Sequence, residues 1–434
     1  MTNERGYSPS AYTVKMALAR RVVVTGIGAV SPNGIGREAF WKATQAGLSG
    51  VRRITRFDTS SMAAQIAGEV EGFNELAWVK PKDRPHVSRV VPLARCATAE
   101  ALQDAGLDTA AMTRDQLREI GVMVGSGGGS QEFTEEQYRK WYAGEWRECS
   151  VYTIPTSTIG TLASEVSMQF GLRGLSHVVS NGCTSSTDAI GYAFHHIGSG
   201  MLDTMVAGGV DAPLAPLIQR GFLIMRIMST RWNAEPERAS RPFSRDRDGF
   251  VIAEGAWFFV LEERERALAR GARIYGEIRG YGSTCEAYHR VRLEESGEEP
   301  ARAMHLAMRE AGISAADVQY VSYHGTSTEL NDRIETKAMK IAFGARSAGI
   351  PGSALKSLIG HPQGACGAAG VAATLLGMRD GVVHGTRNLE ETDPECDLDY
   401  VREGTRRLPV EHAVCNCIAF GSKNSALVIR HPEA

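Results

Sequence analysis

The two halves of the chain carry the same pattern, and this internal repeat limits the folds that the chain can adopt. The segment 101–108, Ala-Leu-Gln-Asp-Ala-Gly-Leu-Asp, matches 307–314, Ala-Met-Arg-Glu-Ala-Gly-Ile-Ser, in its helix pattern and its glycine. The copies begin 206 positions apart, at 101 and 307, which is close to half of the 434-residue chain. A repeat unit of this size indicates a duplicated domain rather than a solenoid of short repeats.

Each copy of the repeat runs into an apolar strand, 120–124 in the first half and 320–323 in the second. Each half also opens on a β-branched strand that ends in glycines, at 21–28 and at 273–282. Strands that alternate with helical patterns predict two similar α/β halves. Runs such as 256–261 are apolar without interruption, which is typical of parallel sheets covered by helices on both faces.

Helices are predicted wherever apolar residues recur at helical spacing. The segment Ala365–Met378 is so rich in alanine and glycine that another backbone must pack closely against it, and a buried helix is expected there. The predicted helices are Gly36–Ala46, Pro92–Ala105, Asp188–Gly198, Glu263–Arg270, Ala301–Ala311, Asp332–Phe343 and Ala365–Met378.

The composition allows a large core and disfavours several classes of partner. Hydrophobic residues make up 43% of the chain, charged residues 23%, and the formal net charge is −2. Because Lys and Arg are scattered and no stretch reaches ~18 uninterrupted apolar residues, neither nucleic acid nor a membrane is an expected partner. The eight cysteines lack paired CxxC spacing, which favours reduced thiols, a cytoplasmic location and no metal site. The polar residues 1–19 are predicted to form a flexible N-terminal extension.

Cys183 is the candidate nucleophile. It lies in Ser-Asn-Gly-Cys-Thr-Ser-Ser-Thr (180–187), after the apolar run 175–179 and before the helix-like stretch 188–197. The amides and the dipole of a helix N-terminus favour a thiolate, so we expect an exposed and ionised sulfur. A lone cysteine is more often a small buried hydrophobic residue, and the local pattern alone leaves that interpretation open.

Two histidines are candidates for proton transfer. His324 follows a strand and precedes Gly325, and His361 follows Gly360 in Lys-Ser-Leu-Ile-Gly-His. A single histidine is more often structural than catalytic. Two of them, in the half of the chain that lacks Cys183, predict a cysteine acyl-transfer site formed where the halves meet.

Lys356 lies in an apolar context, and a buried lysine needs a partner. Glu335, on a helix that starts near residue 331, is the candidate partner. The pair is either a salt bridge that holds two loops together or a supporting group in which Lys356 acts directly on the electrostatics of the site.

Glycine-rich turns supply two further hypotheses. The Phe420-Gly421 pair in 416–424 is either a hinge of a mobile loop or an ordinary hairpin turn before a strand at 426–429. The glycine loops at 26–31 and 125–130 lack the final glycine of the dinucleotide-binding motif, so no nucleotide site is expected.

Taken together, these motifs resemble the β-ketoacyl-acyl-carrier-protein synthases of the II type, which are condensing enzymes of the thiolase superfamily. The resemblance runs from about residue 20 to residue 429 and includes 241–255 and 356–361. Gly-Cys-Thr-Ser at 182–185 and Asn-Asp-Arg-Ile-Glu-Thr at 331–336 are similar to ketosynthase α subunits of type II polyketide systems. Fatty-acid and polyketide biosynthesis both remain open.

The resemblance implies an α/β thiolase fold, with duplicated βαβαβαββ halves in a five-layer αβαβα arrangement. The N-terminal half, 20–270, would carry the nucleophile, and the C-terminal half, 271–434, would carry both histidines. It also implies a dimer, which is either a homodimer or a heterodimer with a ketosynthase-like chain-length factor. The partners would be an acyl carrier protein and its acyl and malonyl forms.

The resemblance also assigns roles to residues. Cys183 would accept an acyl group from acyl-ACP, and His324 and His361 would assist decarboxylation of malonyl-ACP so that the resulting carbanion attacks the thioester. Lys356 would act on the electrostatics of the site and Glu335 would support it. No cofactor is implied apart from the phosphopantetheine arm of the carrier protein.

Further positions match the binding and gating parts of the family's site. Thr326 and Thr328 would hydrogen-bond the phosphopantetheine arm. Phe420, next to Gly421, would act as a gate, and the backbone N–H groups of Cys183 and Phe420 would form the oxyanion hole.

The chain departs from the family's glycine-rich loop at four positions: Ile418, Ala419, Ser422 and Lys423. A methyl group at 419 and a hydroxymethyl group at 422 are expected to restrict the gate. Cys366 replaces a typical alanine.

Two other functions remain in consideration. A non-catalytic chain-length-type partner subunit would lack the nucleophile, and the presence of Cys183, His324 and His361 disfavours it. A thiolase acting on coenzyme A would need a second cysteine near the C-terminus. Cys417 has that position, but the pair of histidines is not typical of that class.

Overall fold

The computed structural model describes residues 20–434, so the predicted extension 1–19 lies outside the described residues. The strands are β1 Val22–Ser31, β2 Gly34–Ile35, β3 Val51–Arg53, β4 Ile66–Gly68, β5 Ile120–Gly125, β6 Ser176–Val179, β7 Thr204–Asp211, β8 Gly255–Glu263, β9 Gly276–Cys285, β10 Tyr320–Ser322, β11 Gly352–Ser353, β12 Val382–Val383, β13 Arg406–Arg407, β14 His412–Ala419 and β15 Lys423–Arg430.

The helices are α1 Arg37–Gln45, α2 Val90–Asp104, α3 Arg114–Arg118, α4 Gln131–Tyr142, α5 Thr153–Ser157, α6 Thr161–Phe170, α7 Ser185–Gly198, α8 Pro216–Ile224, α9 Arg264–Ala269, α10 Glu298–Ala311, α11 Glu329–Phe343, α12 Lys356–Ile359 and α13 Cys366–Asp380. Each of the helices predicted from the sequence is present, with ends that differ by up to three residues. Among residues 20–434, no helix combines the length and apolar character needed to cross a bilayer.

The order of the strands repeats in the two halves. Across the main sheet it is β11-β10-β14-β15-β9-β1-β8-β7-β5-β6. When the strands of each half are numbered along the chain, both halves follow the order third-second-fourth-fifth-first. Antiparallel pairing of β1 with β9 joins the halves, for example at Val23 and Glu277. The duplication predicted from the sequence repeat is therefore present in the strand topology.

The sheet is mixed, so the expectation of a purely parallel sheet was wrong. In the first half β5 runs parallel to β6 and β7, but β8 is antiparallel to both β7 and β1. The second half has the same directions, with β15 antiparallel to β14 and β9. Helices cover both faces of β8, so its residues are apolar on both sides. An uninterrupted apolar run therefore indicates burial of both faces of a strand and not the direction of its neighbours.

Glycines let one helix of each half lie directly on the sheet. A Cβ atom placed on Gly28 of β1 would lie 1.8 Å from the carbonyl oxygen of Ala97 in α2. The equivalent Cβ on Gly282 of β9 would lie 2.1 Å from the carbonyl oxygen of Ala303 in α10. Any side chain at these positions would push the helix away from its strand, which explains why both halves open on glycine-rich strands.

Helices α7 and α13 pack against each other in the middle layer, between the sheet layers of the two halves. Helix α2 covers the outer face of the first half and α10 that of the second. This is the five-layer arrangement expected from the sequence. The predicted buried helix is α13, whose residues from Ala368 to Met378 are all buried. The N-terminal ends of α7 and α13 meet in the centre of the molecule, where the site lies.

Candidate active site

Cys183 lies in a short 3₁₀ turn, Gly182–Thr184, that links β6 to α7. Gly182 has φ +66°, a left-handed conformation that glycine adopts without strain, and this conformation makes the sharp turn into the helix. The sulfur reaches a cavity of about 530 Å³. The other predicted site residues on its wall are Thr326, Thr328, His324, His361 and Phe420.

The structure places His361 against Cys183, the candidate nucleophile. Its Nε2 atom lies 3.2 Å from Sγ of Cys183. Two backbone hydrogen bonds to neighbouring residues fix the position of His361: its N–H donates to Val251 and its carbonyl oxygen accepts from Ala253. Burial lowers the pKa of His361. A neutral imidazole at this distance can accept the thiol proton.

Cys183 is not the exposed thiolate that its position at a helix start suggested. Its side chain is buried, with 7% of the residue's surface exposed, and burial raises the pKa of the thiol. The nearby ammonium of Lys356 and a backbone hydrogen bond from Phe420 oppose that effect. The effect of burial on this pKa is larger than that of the helix N-terminus. A thiolate that is removed from water loses more solvation free energy than the partial charge of the helix end restores. The resting side chain of Cys183 is therefore a neutral thiol, which would need a base to act as a nucleophile.

His324 is a buried, neutral imidazole with a defined orientation. Burial and the charge of Lys356 lower its pKa to about 3. Its Nδ1 atom faces the ammonium of Lys356 at 3.3 Å and the thiol of Cys417 at 3.4 Å. An ammonium can only donate hydrogen bonds, so Nδ1 is the acceptor and the proton is assigned to Nε2. The ring of His324 lies edge-on to that of His361, with centroids 5.4 Å apart.

Lys356 and Glu335 both bind His324 and do not form a salt bridge with each other, which was one of the two interpretations of the pair. Lys356 Nζ donates to the carbonyl oxygen of His324 over 2.5 Å. Glu335 accepts from the backbone N–H groups of His324, at 2.7 Å, and Gly325, at 2.8 Å. Burial raises the pKa of Glu335 to about 7. The two charged groups therefore hold the peptide of His324 from opposite sides.

Thr326 and Thr328 lie in the loop between β10 and α11, with their hydroxyl oxygens 2.8 Å apart. Arg247, which the sequence reasoning did not single out, fixes this loop. Its guanidinium donates to the carbonyl oxygens of Thr328 and Glu329. The sequence contained an indication of this role. Arg247 is a charged residue within 241–255, a segment that carries the family resemblance, and such a residue suggests a structural ion pair.

Phe420 and Gly421 form the turn of the hairpin that joins β14 to β15. The hairpin turn, which was one of the two interpretations of this segment, is therefore present. The serine that departs from the family pattern anchors it: Ser422 Oγ donates to the carbonyl oxygen of His289 at 2.9 Å and accepts from its N–H at 3.2 Å. Ser422 also has φ +64°.

Two features of the site were missed by the sequence reasoning. Asp211, at the end of β7, is fully buried and accepts hydrogen bonds from the backbone of Gly127, Gly128 and Gly364. It thereby fixes the loop that follows His361. The thiols of Cys366 and Cys417 both donate to the carbonyl oxygen of Cys183, at 3.3 and 3.1 Å.

Comparison with known proteins agrees with this geometry. Residues 19–267 match the N-terminal domain of beta-ketoacyl synthases and residues 275–390 match the C-terminal domain. The chain is 38% identical to 3-oxoacyl-[acyl-carrier-protein] synthase 2 of Synechocystis over 95% of its own length and 98% of the relative's. It is also 38% identical to the tetracenomycin polyketide synthase ketoacyl synthase alpha subunit of Streptomyces glaucescens, over 95% and 98% of the two chains.

Solved structures show the same fold. A beta-ketoacyl synthase from Burkholderia phymatum superposes with a TM-score of 0.87 at 36% identity, over 95% of this chain and 99% of the other. A type II polyketide ketosynthase bound to its acyl-carrier protein and the hexaketide gives a TM-score of 0.86 at 32% identity, over 95% and 99%.

The fold and the buried cysteine with two histidines define a condensing enzyme of the thiolase type. The chain belongs to the β-ketoacyl synthase family. It is an acyltransferase of the ketosynthase class, which confirms the fold class and the enzyme class predicted from the sequence.

Proposed function

We propose that the enzyme accepts an acyl group from an acyl carrier protein on Cys183 and condenses it with malonyl-carrier protein, with loss of CO₂. The observation that carries the proposal is the 3.2 Å contact between Cys183 Sγ and His361 Nε2 on the wall of the cavity that His324 also lines. A nucleophile, a base and a second imidazole donor are together the groups that both half-reactions need.

The first half-reaction is a thioester exchange. The sulfur of Cys183 attacks the acyl carbonyl while its proton passes to Nε2 of His361. The C–S bond to the pantetheine sulfur then breaks, and the leaving sulfur takes the proton. The raised pKa of Cys183 requires this coupled transfer, and the backbone N–H of Phe420 is placed to donate to developing charge near the sulfur.

The second half-reaction requires stabilisation of an enolate. Nε2–H of His324 donates a hydrogen bond to the malonyl thioester oxygen as the C–C bond to the carboxylate breaks and CO₂ leaves. His361 donates as well in its Nε2–H tautomer, which is available once Cys183 is acylated and no longer donates to Nε2. The enolate carbon attacks the Cys183 thioester, and the sulfur leaves as a thiolate that takes a proton from solvent. Lys356 and Glu335 fix His324 so that this donor needs no reorganisation.

The substrate is delivered on the phosphopantetheine arm of the carrier protein. Thr326 and Thr328 line the cavity, and one hydroxyl group donates to the other, so the second can donate to an amide carbonyl group of such an arm. Complex formation between a similar ketosynthase and its acyl-carrier protein supports a carrier protein as the partner.

The working unit is a dimer, formed either with a second copy or with a chain-length factor. Strand β6 is the edge of the main sheet, and its residues are only partly buried. In the same half of the chain, Val151 and Ile154 are about four-fifths exposed, at 81% and 78%, and Tyr142 is 84% exposed. Exposed apolar residues and an open strand edge each favour association. A ketosynthase/chain length factor is among the similar structures.

Intact-mass measurement after incubation with a panel of acyl-carrier proteins tests the proposal. Wild type should gain one acyl group and Cys183→Ala none, and the preferred acyl length should separate fatty-acid from polyketide substrates. Cys183→Gln should release CO₂ from malonyl-carrier protein without condensation, because a carboxamide resembles the acylated side chain. Absence of any adduct, with or without a partner subunit, would reject the proposal in favour of a non-catalytic subunit.

A further inference from the structure

The side chains of Cys366 and Cys417 meet at Nδ1 of His324, the ring nitrogen that the proposed reaction does not use as a donor. Sγ of Cys366 lies 3.7 Å from Sγ of Cys417. Nδ1 of His324 lies 3.4 Å from the sulfur of Cys417 and 4.0 Å from that of Cys366. The proposed reaction uses neither of these two thiols.

These separations are close to the edges of a tetrahedral zinc site. With Zn–S bonds of about 2.3 Å and Zn–N bonds of about 2.0 Å, tetrahedral ligands lie ~3.8 Å apart for two sulfurs and ~3.5 Å apart for sulfur and nitrogen. The sulfur–sulfur distance of 3.7 Å and the shorter sulfur–nitrogen distance of 3.4 Å match within 0.1 Å, and the remaining edge is 4.0 Å. Thiolate and imidazole are also the ligand types that zinc prefers.

The ligand atoms face a small cavity of about 10 Å³ between His324, Lys356, Cys366 and Cys417. That volume is near the minimum for a single water molecule or ion. Without a cation the lone pair of Nδ1 accepts from Lys356, and a bound cation would take the place of Lys356 as the partner of Nδ1. The ammonium of Lys356 also borders the cavity, where it would stabilise two thiolates, and its hydrogen bond to the carbonyl oxygen of His324 does not depend on Nδ1.

We propose that Cys366, Cys417 and His324 form a binding site for a thiophilic divalent cation such as Zn²⁺. The cation replaces the two thiol protons, which pass to solvent, and takes the lone pair of Nδ1, so that a fourth coordination position remains for water. The site differs from the expectation of no metal that the cysteine spacing gave, because its ligands come from α13, β14 and the loop after β10.

A bound cation would inhibit the enzyme, an effect that rests on the proposed function. The 4.0 Å separation of Nδ1 from Sγ of Cys366 exceeds the ~3.5 Å edge of such a site, so coordination would shift the ring of His324 from the position that Lys356 and Glu335 give it. Coordination would also remove both thiol hydrogen bonds from the carbonyl oxygen of Cys183. Metal availability would then regulate condensation.

The same cation has one competing site. Cys183, His324 and His361 also offer ligand atoms within 4.8 Å of one another. The two sites share His324 but differ in their thiols, so binding at Cys366 and Cys417 forms two metal–sulfur bonds, whereas binding at Cys183 forms one.

The test uses reduced, metal-free protein without substrate. Co²⁺ should bind one per chain, with sulfur-to-cobalt charge-transfer absorption, and Zn²⁺ should displace it. The charge-transfer intensity should correspond to two Co–S bonds, and calorimetry should give one Zn²⁺ bound per chain. Absence of thiolate-type absorption, or an intensity that corresponds to one Co–S bond, would overturn the proposal.

Variants locate the site. Cys366→Ala and Cys417→Ser should each weaken Zn²⁺ binding by at least about 100-fold, because losing a ligand costs more than losing a supporting contact. Cys183→Ala and the exposed Cys285→Ser should bind as wild type does. Loss of binding in Cys183→Ala with retention in Cys366→Ala would overturn the proposal, and thermal unfolding would check that each variant folds.

Activity is measured separately. Zn²⁺ should inhibit condensation by the wild type, and Cys366→Ala should resist inhibition by a similar factor of about 100. If the metal-free wild type binds Zn²⁺ as described but forms no acyl-enzyme, the proposed function fails and the metal site stands. If Zn²⁺ binds and condensation continues unchanged, the inhibitory role is rejected.

Discussion

The carboxylate of Glu335 accepts a hydrogen bond from the backbone N–H of His324 over 2.7 Å, from within the helix that follows the histidine's own loop. The second oxygen accepts from Gly325. A single buried carboxylate thus fixes the peptide that carries one of the two catalytic candidates, and its neighbour Asn416 holds the carboxylate in turn.

Glu335→Gln should lower kcat for condensation about 10- to 100-fold with little change in KM. The amide has one acceptor oxygen, so its NH₂ group must face one of two backbone donors and leave it without a partner. The imidazole then loses its position, a small displacement that reduces catalysis strongly. Unfolding in urea should show a loss of about 1–3 kcal/mol.

The matched control for this variant is Glu329→Gln, on the same helix but with 76% of its side chain exposed. It should leave both kcat and stability close to wild type. Equal effects of the two substitutions would contradict a positioning role for Glu335.

The two histidines should be separable by half-reaction. His361→Gln should slow acylation of Cys183 by at least about 100-fold, because it removes the base 3.2 Å from the sulfur. His324→Gln should still form the acyl-enzyme but lose malonyl condensation by a similar or larger factor. Intact mass measures acylation, and CO₂ release measures decarboxylation. A His324 variant that loses acylation first would contradict these roles.

Ser422→Ala should loosen the hairpin turn beside the site. The hydroxyl makes two hydrogen bonds with the backbone of His289, and removing them leaves φ +64° unsupported. If the free energy of local opening of the turn falls by about 1 kcal/mol, the backbone amide hydrogens of 420–423 should exchange with solvent roughly 5- to 10-fold faster. Hydrogen–deuterium exchange with mass spectrometry measures this, with the exposed Ser199→Ala as control. Unchanged exchange would show that Ser422 does not restrain the turn.

His384 should make the protein sensitive to mild acid. Burial lowers its pKa from 6.5 to about 4. The unfolded chain therefore binds a proton at higher pH than the folded chain does, and stability present above pH ~6.5 is lost as the pH falls toward 4. At pH 4.5 the loss due to this residue should be about 2–3 kcal/mol.

The measurement is urea unfolding of wild type and His384→Gln at pH 7.5, 5.5 and 4.5. The glutamine variant should be the less acid-sensitive of the two, because its side chain does not titrate. A constant difference between the two proteins across this range would contradict the prediction.

The sequence was sufficient for features that depend on local pattern or on repetition. The repeat at 101 and 307 predicted the duplicated halves, and helical spacing located seven of the 13 α-helices in the described residues, within three residues of their observed ends. The sequence also predicted the strand-to-helix turn at Cys183, because an apolar run, a glycine and small hydroxyl residues follow one another there. Strand direction was not readable, because β8 is covered on both faces and so looks like a parallel strand.

The charge state of the site was decided by tertiary structure alone. A helix N-terminus can be recognised in a sequence, but the burial that reverses its effect on Cys183 depends on residues such as Cys366 and Cys417, which are about 180 and 230 positions away. In the same way Lys356 and Glu335 could be named as partners, yet only the fold showed that both bind the peptide of His324. The sequence determined which groups are present and on which local element each lies. Their mutual distances and their desolvation were set by how the two halves pack, because both quantities depend on all the surrounding atoms.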